Sequence, residues 1–178
     1  MNELFVRKTI RLKDYDYSSA GYYFVTICVK DRQELLGKVV GTTARVSPSG
    51  DETGASHRGH PFVELTPIGQ CVAETIQNAN RGNVRIDKYV VMPNHIHMIV
   101  VLGSITDDLY AEHQFHVLSS LQQVVRNIKS FVTKWVGFPL WQPRFYDHII
   151  RNEADYERIW QYIDENPALW NDDEYNTC

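Results

Sequence analysis

The sequence predicts an α+β sandwich in which helices pack on one antiparallel sheet. Two observations lead to this prediction. Strand and helix patterns follow one another in the order β-β-α-β-β-α-β-α, and 43% hydrophobic residues over 178 positions are enough for a packed core. Because we find no internal repeat and no second domain, residues 1–178 should form one domain, with polar loop insertions at about 42–61 and 103–116.

The first half of the sequence contains two strand patterns followed by one helix pattern. Aromatic and β-branched residues dominate the longer strand, which favours extended backbone. Thr66-Pro67 combines a helix N-cap with a first-turn proline, and apolar residues then recur at helical spacing. In chain order, the predicted elements are a strand at 21–29, a strand at 35–40, the polar stretch at 42–61 and a helix from 66 to about 82, with Ile68, Val72 and Ile76 on its apolar stripe.

The second half contains strand patterns, a long amphipathic helix and a last helix that Asn152 caps, with Asp155 at the capping-box position. In chain order, the predicted elements are a strand at 86–92, a turn at Pro93-Asn94, a strand at 95–102, the loop at 103–116, the long helix, an extended segment at 141–150 and the helix from 152 to 167. The long helix should bury Leu121, Val125, Ile128, Val132 and Trp135, and should carry Arg126, Lys129 and Thr133 on another face.

Charge is unevenly distributed along the chain. The net charge of −4 and the isoelectric point of about 5.9 argue, taken alone, against a nucleic-acid-binding protein. Residues 152–178, however, carry −7, which leaves +3 for residues 1–151. Such basic clusters are typical of a solvated surface, and they would equally suit a face that contacts phosphates. They are an N-terminal group of Arg7, Lys8, Arg11 and Lys13 and a later group of Arg126, Lys129, Lys134, Arg144 and Arg151.

Cysteine usage and hydropathy indicate the compartment. Cys28, Cys71 and Cys178 are odd in number and lack CxxC spacing, so we expect neither a disulfide framework nor a cysteine zinc site. No apolar run approaches the ~20 residues that span a bilayer, and the first eight residues lack the apolar stretch of a signal peptide. We therefore expect a cytoplasmic protein without a membrane partner.

The most informative local motif is the histidine pair in Met92-Pro93-Asn94-His95-Ile96-His97-Met98. Side chains alternate along a strand, so His95 and His97 should share one face while Ile96 and Met98 pack on the other. Two neutral imidazoles on one strand can chelate a divalent cation, and we expect them to line a solvent-accessible site. The spacing alone leaves open an alternative, in which both are surface or hydrogen-bonded histidines.

Tyr162 and Asn166 form a second pair, on the last helix. Their four-residue spacing puts a phenol and an amide on one helical face, about one turn apart. A phenol has a pKa of about 10, so it needs an adjacent metal-bound phosphate or a base before it attacks. Tyr156 lies with Ile159 and Ile163 on the apolar stripe, whereas Tyr162 is displaced towards the polar side. An ordinary role for Tyr162 on an amphipathic helix stays open.

Four further histidines have zinc-like spacing, but they fall in polar loops without nearby cysteines. We interpret them as solvated loop residues. They are His57 with His60, and His113 with His116. His148 follows Trp141-Gln142-Pro143-Arg144 and could either contact DNA or fill the edge of the sheet.

The ordered set of motifs resembles the single-tyrosine HUH transposases, specifically the REP-associated tyrosine transposases. The matching pieces cover most of the chain outside the loops at 42–61 and 103–116, and their order is specific. They are Gly21-Tyr22-Tyr23-Phe24-Val25-Thr26, Val90-Val91-Met92-Pro93-Asn94-His95-Ile96-His97, Trp141-Gln142-Pro143-Arg144-Phe145-Tyr146-Asp147-His148, Ile150-Arg151-Asn152, and Asp155-Tyr156 through Tyr162 to Asn166-Pro167.

The resemblance implies a ferredoxin-like fold with both histidines on a central strand. It implies that His95 and His97 hold Mg2+ or Mn2+, that Tyr162 is the nucleophile, and that Asn166 is a third, polar ligand. Related insertion-sequence transposases more often have glutamine there, and the insertion at 42–61 departs from compact members. The implied activity is cleavage and strand transfer of single-stranded DNA at a hairpin through a 5′-phosphotyrosine intermediate, as in DNA transposition.

Two alternative functions stay open. One is a domesticated relative that binds hairpin DNA with little or no cleavage. The other is an RNA-binding ferredoxin-like domain, for which Tyr22, Tyr23 and Phe24 would form an aromatic platform, although it leaves both pairs of site residues unexplained. The candidate DNA contacts are Arg126, Lys129, Lys134, Arg144, His148 and Arg151. A monomer and a homodimer that exchanges helices are both compatible with the sequence.

Overall fold

A four-stranded antiparallel sheet is the centre of the computed structural model, which describes residues 19–41, 60–103 and 119–172. The strand order is β4-β5-β1-β6, so β5 and β1 are central, while β2 and β3 form a separate antiparallel ribbon. The strands are β1 (Gly21–Cys28), β2 (Gly37–Val40), β3 (Phe62–Leu65), β4 (Val84–Val91), β5 (His95–Leu102) and β6 (Tyr146–Ile150). The helices are α1 (Pro67–Gln77), α2 (Leu121–Val136) and α3 (Glu153–Glu165), followed by a 3-10 helix at Asn166–Asp172. The α+β prediction is confirmed.

One strand was missed by the sequence analysis. β3 directly follows the predicted polar stretch at 42–61 and has only four residues, in which Phe62 and Glu64 are exposed. So short a strand presents no apolar run, and it is extended because it pairs with β2. The loop residues 42–59 and 104–118 and the N-terminal basic cluster lie outside the described residues.

The helices α1 and α2 cover one face of the sheet. Thr66 caps α1 as predicted, since its hydroxyl accepts the Gly69 N–H at 3.2 Å, and Val72 and Ile76 are buried. The prediction was wrong for Trp135, which is 55% exposed. Trp135 lies one turn after Phe131, which is 59% exposed, so both rings sit outside the stripe. The buried residues of α2 are Leu121, Val124, Val125, Ile128 and Val132.

The helix α3 covers the opposite face. Its predicted cap is present, because Asn152 Oδ1 accepts the Asp155 N–H at 2.9 Å. Its buried residues Ile159 and Ile163 join a second apolar cluster that includes Phe24 of β1. Because Tyr23 is fully buried and Phe24 nearly so, these two rings cannot form an aromatic platform for RNA. No helix within the described ranges is long and apolar enough to cross a membrane.

Candidate functional site

The site begins with two imidazoles on the central strand β5. As the alternation predicts, Ile96 and Met98 enter the core under α1 and α2, while His95 and His97 face the α3 side. The His95 Nε2 and His97 Nε2 atoms lie 2.9 Å apart, and the ring centroids are 4.4 Å apart. The strand therefore brings two ring nitrogens to one point.

A second set of contacts holds each ring from behind. His97 Nδ1 lies 2.9 Å from Thr26 Oγ1, because β1 pairs with β5 in the register that places Thr26 opposite His97. The Phe24 ring stacks on the same imidazole at 5.2 Å between centroids. His95 Nδ1 lies 2.9 Å from the side-chain amide oxygen, Oδ1, of Asn94 in the preceding turn. The Nε2 atoms are thus the inward-facing nitrogens of both rings.

Both imidazoles are buried, which corrects the expectation of a solvent-accessible pair. The exposed fraction is 0% for His95 and 1% for His97. Trp170, from the 3-10 helix after α3, lies with its ring centroid 6.0 Å from that of His95. Burial lowers the pKa of His97 to about 3. Burial, and to a smaller extent the charges of His97 and Arg32, holds the pKa of His95 well below its usual range. Both rings are therefore neutral at physiological pH.

Tyr162 of α3 reaches this pair within one chain. Its phenolic oxygen lies 3.2 Å from His97 Nε2, and its ring meets Phe24 edge-on at 6.1 Å. The helix is held against β4, where Lys88 pairs with Asp164 and lies 3.7 Å from the centroid of the Trp160 ring. In this structure the phenol and the imidazole pair therefore come from one chain.

Tyr156, the other tyrosine of α3, has a different environment. Its hydroxyl donates to the Asp87 carboxylate at the bulge of β4. This hydrogen bond, with partial desolvation and the negative charge of Asp87, raises the pKa of Tyr156 to about 12. Tyr156 is therefore a structural contact, whereas Tyr162 is the phenol next to the histidines.

The C-terminal end of α3 carries Asn166, of which 1% is exposed. It follows Tyr162 by one helical turn, as the spacing predicts. Within the described part of the chain, no cluster of three or more His, Cys, Asp or Glu residues could hold a metal ion. Among the described residues, a third ligand to the imidazole pair would therefore be of another residue type, and an amide oxygen qualifies.

The donor atoms fit a divalent cation. Both imidazoles are neutral, as metal ligands must be, and both are oriented by hydrogen bonds at Nδ1. Two nitrogens that bind one octahedral ion at right angles, each at about 2.1 Å, lie about 3 Å from one another. The observed Nε2–Nε2 distance of 2.9 Å matches that value.

The predicted DNA contacts divide into two groups. The exposed side chains are Arg126, Lys134, Arg144 and Arg151. Arg126 and Lys134 line a cleft of about 790 Å3 between α2 and the segment that follows it, and none of the described residues that line this cleft is acidic. The segment from 121 to 145 holds four basic residues and no acidic one.

The other two predicted contacts have partners within the protein. Lys129 Nζ donates to the backbone carbonyls of Gln142 and Arg144 at 2.8 and 3.0 Å, and burial lowers its pKa to about 8. His148 Nε2 lies 2.8 Å from the Asp155 carboxylate. Lys129 therefore shapes the wall of the cleft, and His148 joins β6 to α3.

The loop histidines lie apart from the described site or outside the described residues, and two residues of the site were not predicted from the sequence. His60 is exposed, in agreement with a solvated loop residue, and His57, His113 and His116 lie outside the described residues. Sequence reasoning assigned no role to Thr26 or Trp170. Thr26 stands inside the Gly21–Thr26 motif and could have been noticed as a hydroxyl in an otherwise apolar strand. Nothing in the local sequence pairs Trp170 with His95.

Comparisons with known proteins give two informative relatives. An uncharacterized protein of Haemophilus influenzae is 33% identical over 184 aligned residues, covering 94% of this chain and 92% of that protein. A REP-associated tyrosine transposase of Escherichia coli is 36% identical over 106 residues, which cover 58% of this chain and 57% of the transposase. No protein-family model matches the chain.

A solved structure is similar over most of the chain. It is a REP-associated tyrosine transposase bound to a REP hairpin, with 26% identity and a TM-score of 0.56. The match covers 89% of this chain and 74% of the solved one.

Proposed function

We propose that the chain is a relative of the REP-associated tyrosine transposases to which it is similar, and that it cleaves and transfers single-stranded DNA at a hairpin in a metal-dependent reaction. One observation carries the chemical part of this proposal. The Tyr162 oxygen lies 3.2 Å from His97 Nε2, beside two imidazole nitrogens that converge to 2.9 Å. The hairpin substrate follows from the similarity to a transposase whose structure contains a REP hairpin.

His95, His97 and Asn166 would hold the cation. Their two nitrogens and one amide oxygen form a mixed donor set, which suits Mn2+ better than Mg2+, since Mg2+ prefers oxygen ligands. When bound, the cation would polarise the scissile phosphate and offset the negative charge that gathers on its oxygens.

Tyr162 is the proposed nucleophile. Its oxygen attacks the phosphorus in line, so that a P–O bond to tyrosine forms while the bond from phosphorus to the 3′ oxygen breaks. Overall, the phenolic proton is lost and the departing oxygen gains one, which leaves a free 3′ hydroxyl and a 5′-phosphotyrosine. The ester formed replaces the ester broken, so rejoining to another strand requires no ATP.

The basic cleft along α2 is the proposed surface for the DNA backbone. Arg126 and Lys134 are exposed there, and Lys129 holds the opposite wall through its two carbonyl contacts. Contacts of this kind position nucleic acid without reading its sequence. Arg144 and Arg151 are further exposed cations that we assign to the same role.

A covalent-adduct assay tests the proposal. A labelled single-stranded hairpin incubated with the full chain and Mn2+ should give a protein–DNA adduct that survives denaturant, and EDTA should prevent it. Tyr162→Phe should abolish the adduct while hairpin binding is unchanged. Tyr156→Phe is the matched control, since it removes a hydroxyl from the same helix, and it should still form the adduct. A full adduct yield from Tyr162→Phe would reject the assigned nucleophile.

A second candidate function is hairpin binding without cleavage, and the burial of the histidine pair favours it. A phosphodiester cannot reach nitrogens that are 0% and 1% exposed unless neighbouring side chains, Trp170 among them, move away. The same assay separates the two functions. Tight hairpin binding with no adduct at any Mn2+ concentration would support the binding protein and reject the nuclease.

A further inference from the structure

The hydrogen bonds at Nδ1 fix the position of the ring proton in neutral His95 but not in neutral His97. The Asn94 side chain has a defined orientation, because its Nδ2 donates to the Arg32 carbonyl at 3.1 Å. The Asn94 oxygen therefore faces His95 Nδ1 at 2.9 Å, and an amide oxygen only accepts. A neutral His95 must then be protonated at Nδ1, which leaves a lone pair on Nε2.

His97 is different, because its Nδ1 faces a hydroxyl. Thr26 Oγ1 lies 2.9 Å away and can either donate or accept. If Thr26 donates, His97 carries its proton on Nε2 and donates it to His95 Nε2, 2.9 Å away. If Thr26 accepts, His97 is protonated at Nδ1, and the lone pairs of both Nε2 atoms point to the same place.

We propose that Thr26 is a positioning residue that lets His97 change between these two tautomers and so makes the imidazole pair able to bind a divalent cation. The inference rests on the metal site of the proposed function. In the first tautomer, His97 Nε2–H donates to His95 Nε2, and this hydrogen bond stabilises the buried histidines without metal. In the second, both Nε2 lone pairs are available to the cation, and rotation of one hydroxyl accompanies the change.

The surroundings of Thr26 support this role. Its side chain is 1% exposed, so water does not replace the hydroxyl. Its place opposite His97 is set by the antiparallel register of β1 and β5. A buried ring N–H without an acceptor is costly, so an apolar residue at this position would penalise the metal-binding tautomer.

Metal binding by substituted full-length chains tests the proposal without DNA or catalysis. The probe is Mn2+, with free Mn2+ quantified by electron paramagnetic resonance. Thr26→Val should weaken Mn2+ binding about 10–100-fold, the usual effect of removing a residue that orients a metal ligand. Thr26→Ser keeps the hydroxyl and should restore most of the affinity. Thr75→Val is the matched control, since its hydroxyl donates to the Cys71 carbonyl within α1, and it should bind Mn2+ as the unsubstituted chain does.

Nuclear magnetic resonance of the ring nitrogens shows which nitrogen of each histidine is protonated. If Thr26 had a purely structural role, metal binding would not be expected to change this assignment through Thr26. In the metal-free chain, His95 should be protonated at Nδ1 and His97 at Nε2. Saturating Mg2+, which is diamagnetic, should move the His97 proton to Nδ1. This measurement uses the unsubstituted protein, so it decides the matter even if Thr26→Val fails to fold.

The outcomes distinguish the two proposals. Unchanged Mn2+ affinity in folded Thr26→Val, an equal loss in Thr75→Val, or a His97 proton that stays on Nε2 with bound Mg2+ would overturn the role of Thr26. No Mn2+ binding by the unsubstituted chain would overturn the metal site and this inference together. Thr26-dependent Mn2+ binding without any DNA adduct would uphold the role of Thr26 and reject the nuclease.

Discussion

Because His95 and His97 are buried, we expect the free energy of unfolding to depend on pH through these two side chains. Their pKa values are lowered in the folded chain, chiefly by burial, whereas both are near 6.5 when it unfolds. The unfolded state therefore binds more protons as the pH falls below about 7, and the folded state loses stability. Each histidine contributes a decrease of up to about 1.4 kcal/mol per pH unit in the free energy of unfolding, below pH 6.5 and above its folded pKa.

Urea unfolding of the metal-free chain at pH 7.5, 6.5 and 5.5 measures this effect. A double variant, His95→Gln with His97→Gln, is the control and should show a clearly flatter dependence over the same range. Equal slopes for both proteins would mean that the two imidazoles titrate normally in the folded chain.

At the residue scale, the sequence predicted which groups meet but not their surroundings. Alternation along β5 and the displacement of Tyr162 from the apolar stripe of α3 are local rules, so the meeting of His95, His97 and Tyr162 could be predicted in advance, while the role of Asn166 stays a prediction. Burial of the histidines depends on α3 and on Trp170, 75 residues away in sequence from His95. Local periodicity contains no information about such a contact.

At the scale of elements, α1 approaches the residue before β2 so closely at Gly69 that a methyl group added there should lower the free energy of unfolding. A Cβ on Gly69 would lie 1.9 Å from the Leu36 carbonyl oxygen, far inside van der Waals contact. Alanine favours a helix over glycine by about 1 kcal/mol, but overpacking typically costs 1–3 kcal/mol or occasionally more. We expect Gly69→Ala to lower the free energy of unfolding in urea.

The exposed neighbour Gln70 provides the control for this substitution. Gln70→Ala changes the same helix turn without a close contact, and its effect should stay within about 0.5 kcal/mol. Stabilisation by Gly69→Ala would show that the helix can move away from Leu36, whose N–H donates to Pro93 in the turn before His95.

The elements that the sequence predicted well are those with local signals at their ends. Thr66-Pro67 and Asn152 start α1 and α3 where the cap chemistry predicts. β3 has no such signal and depends on its partner β2. Trp135 was placed wrongly because an apolar residue next to a buried stripe can also lie outside it, as Phe131 does.

At the scale of the whole molecule, the separation of charge predicts how DNA binding responds to salt. Helix α2 and the segment after it contribute four basic residues and no acidic one, although the net charge is −4. Replacing two exposed cations, Arg126→Gln with Lys134→Gln, should weaken hairpin binding and reduce the slope of log affinity against log salt by about 2. Fluorescence anisotropy from 50 to 300 mM NaCl measures both quantities.

Lys38, an exposed lysine on the β2–β3 ribbon, supplies the control for charge alone. Lys38→Gln should leave the salt slope nearly unchanged. An equal effect of Lys38→Gln, or an unchanged slope in the double variant, would remove the α2 cleft from the DNA-binding surface.

The order of strands and helices was enough to predict the architecture, since an alternating α+β pattern with short connections has few solutions. The order did not determine whether α3 covers the histidines of its own chain or those of a partner. In the chain described, α3 pairs with β4 and brings Tyr162 to His97 of the same chain.

The most direct test of the account is to locate the DNA on the protein. After reaction of a hairpin substrate with Mn2+, trypsin should release a peptide that begins at Ile159, and tandem mass spectrometry should find a 5′-linked nucleotide on Tyr162, with a free 3′ hydroxyl on the other DNA product. Attachment to another residue, or a 3′-phosphotyrosine bond, would contradict the assignment of Tyr162 and the histidine pair as one catalytic centre.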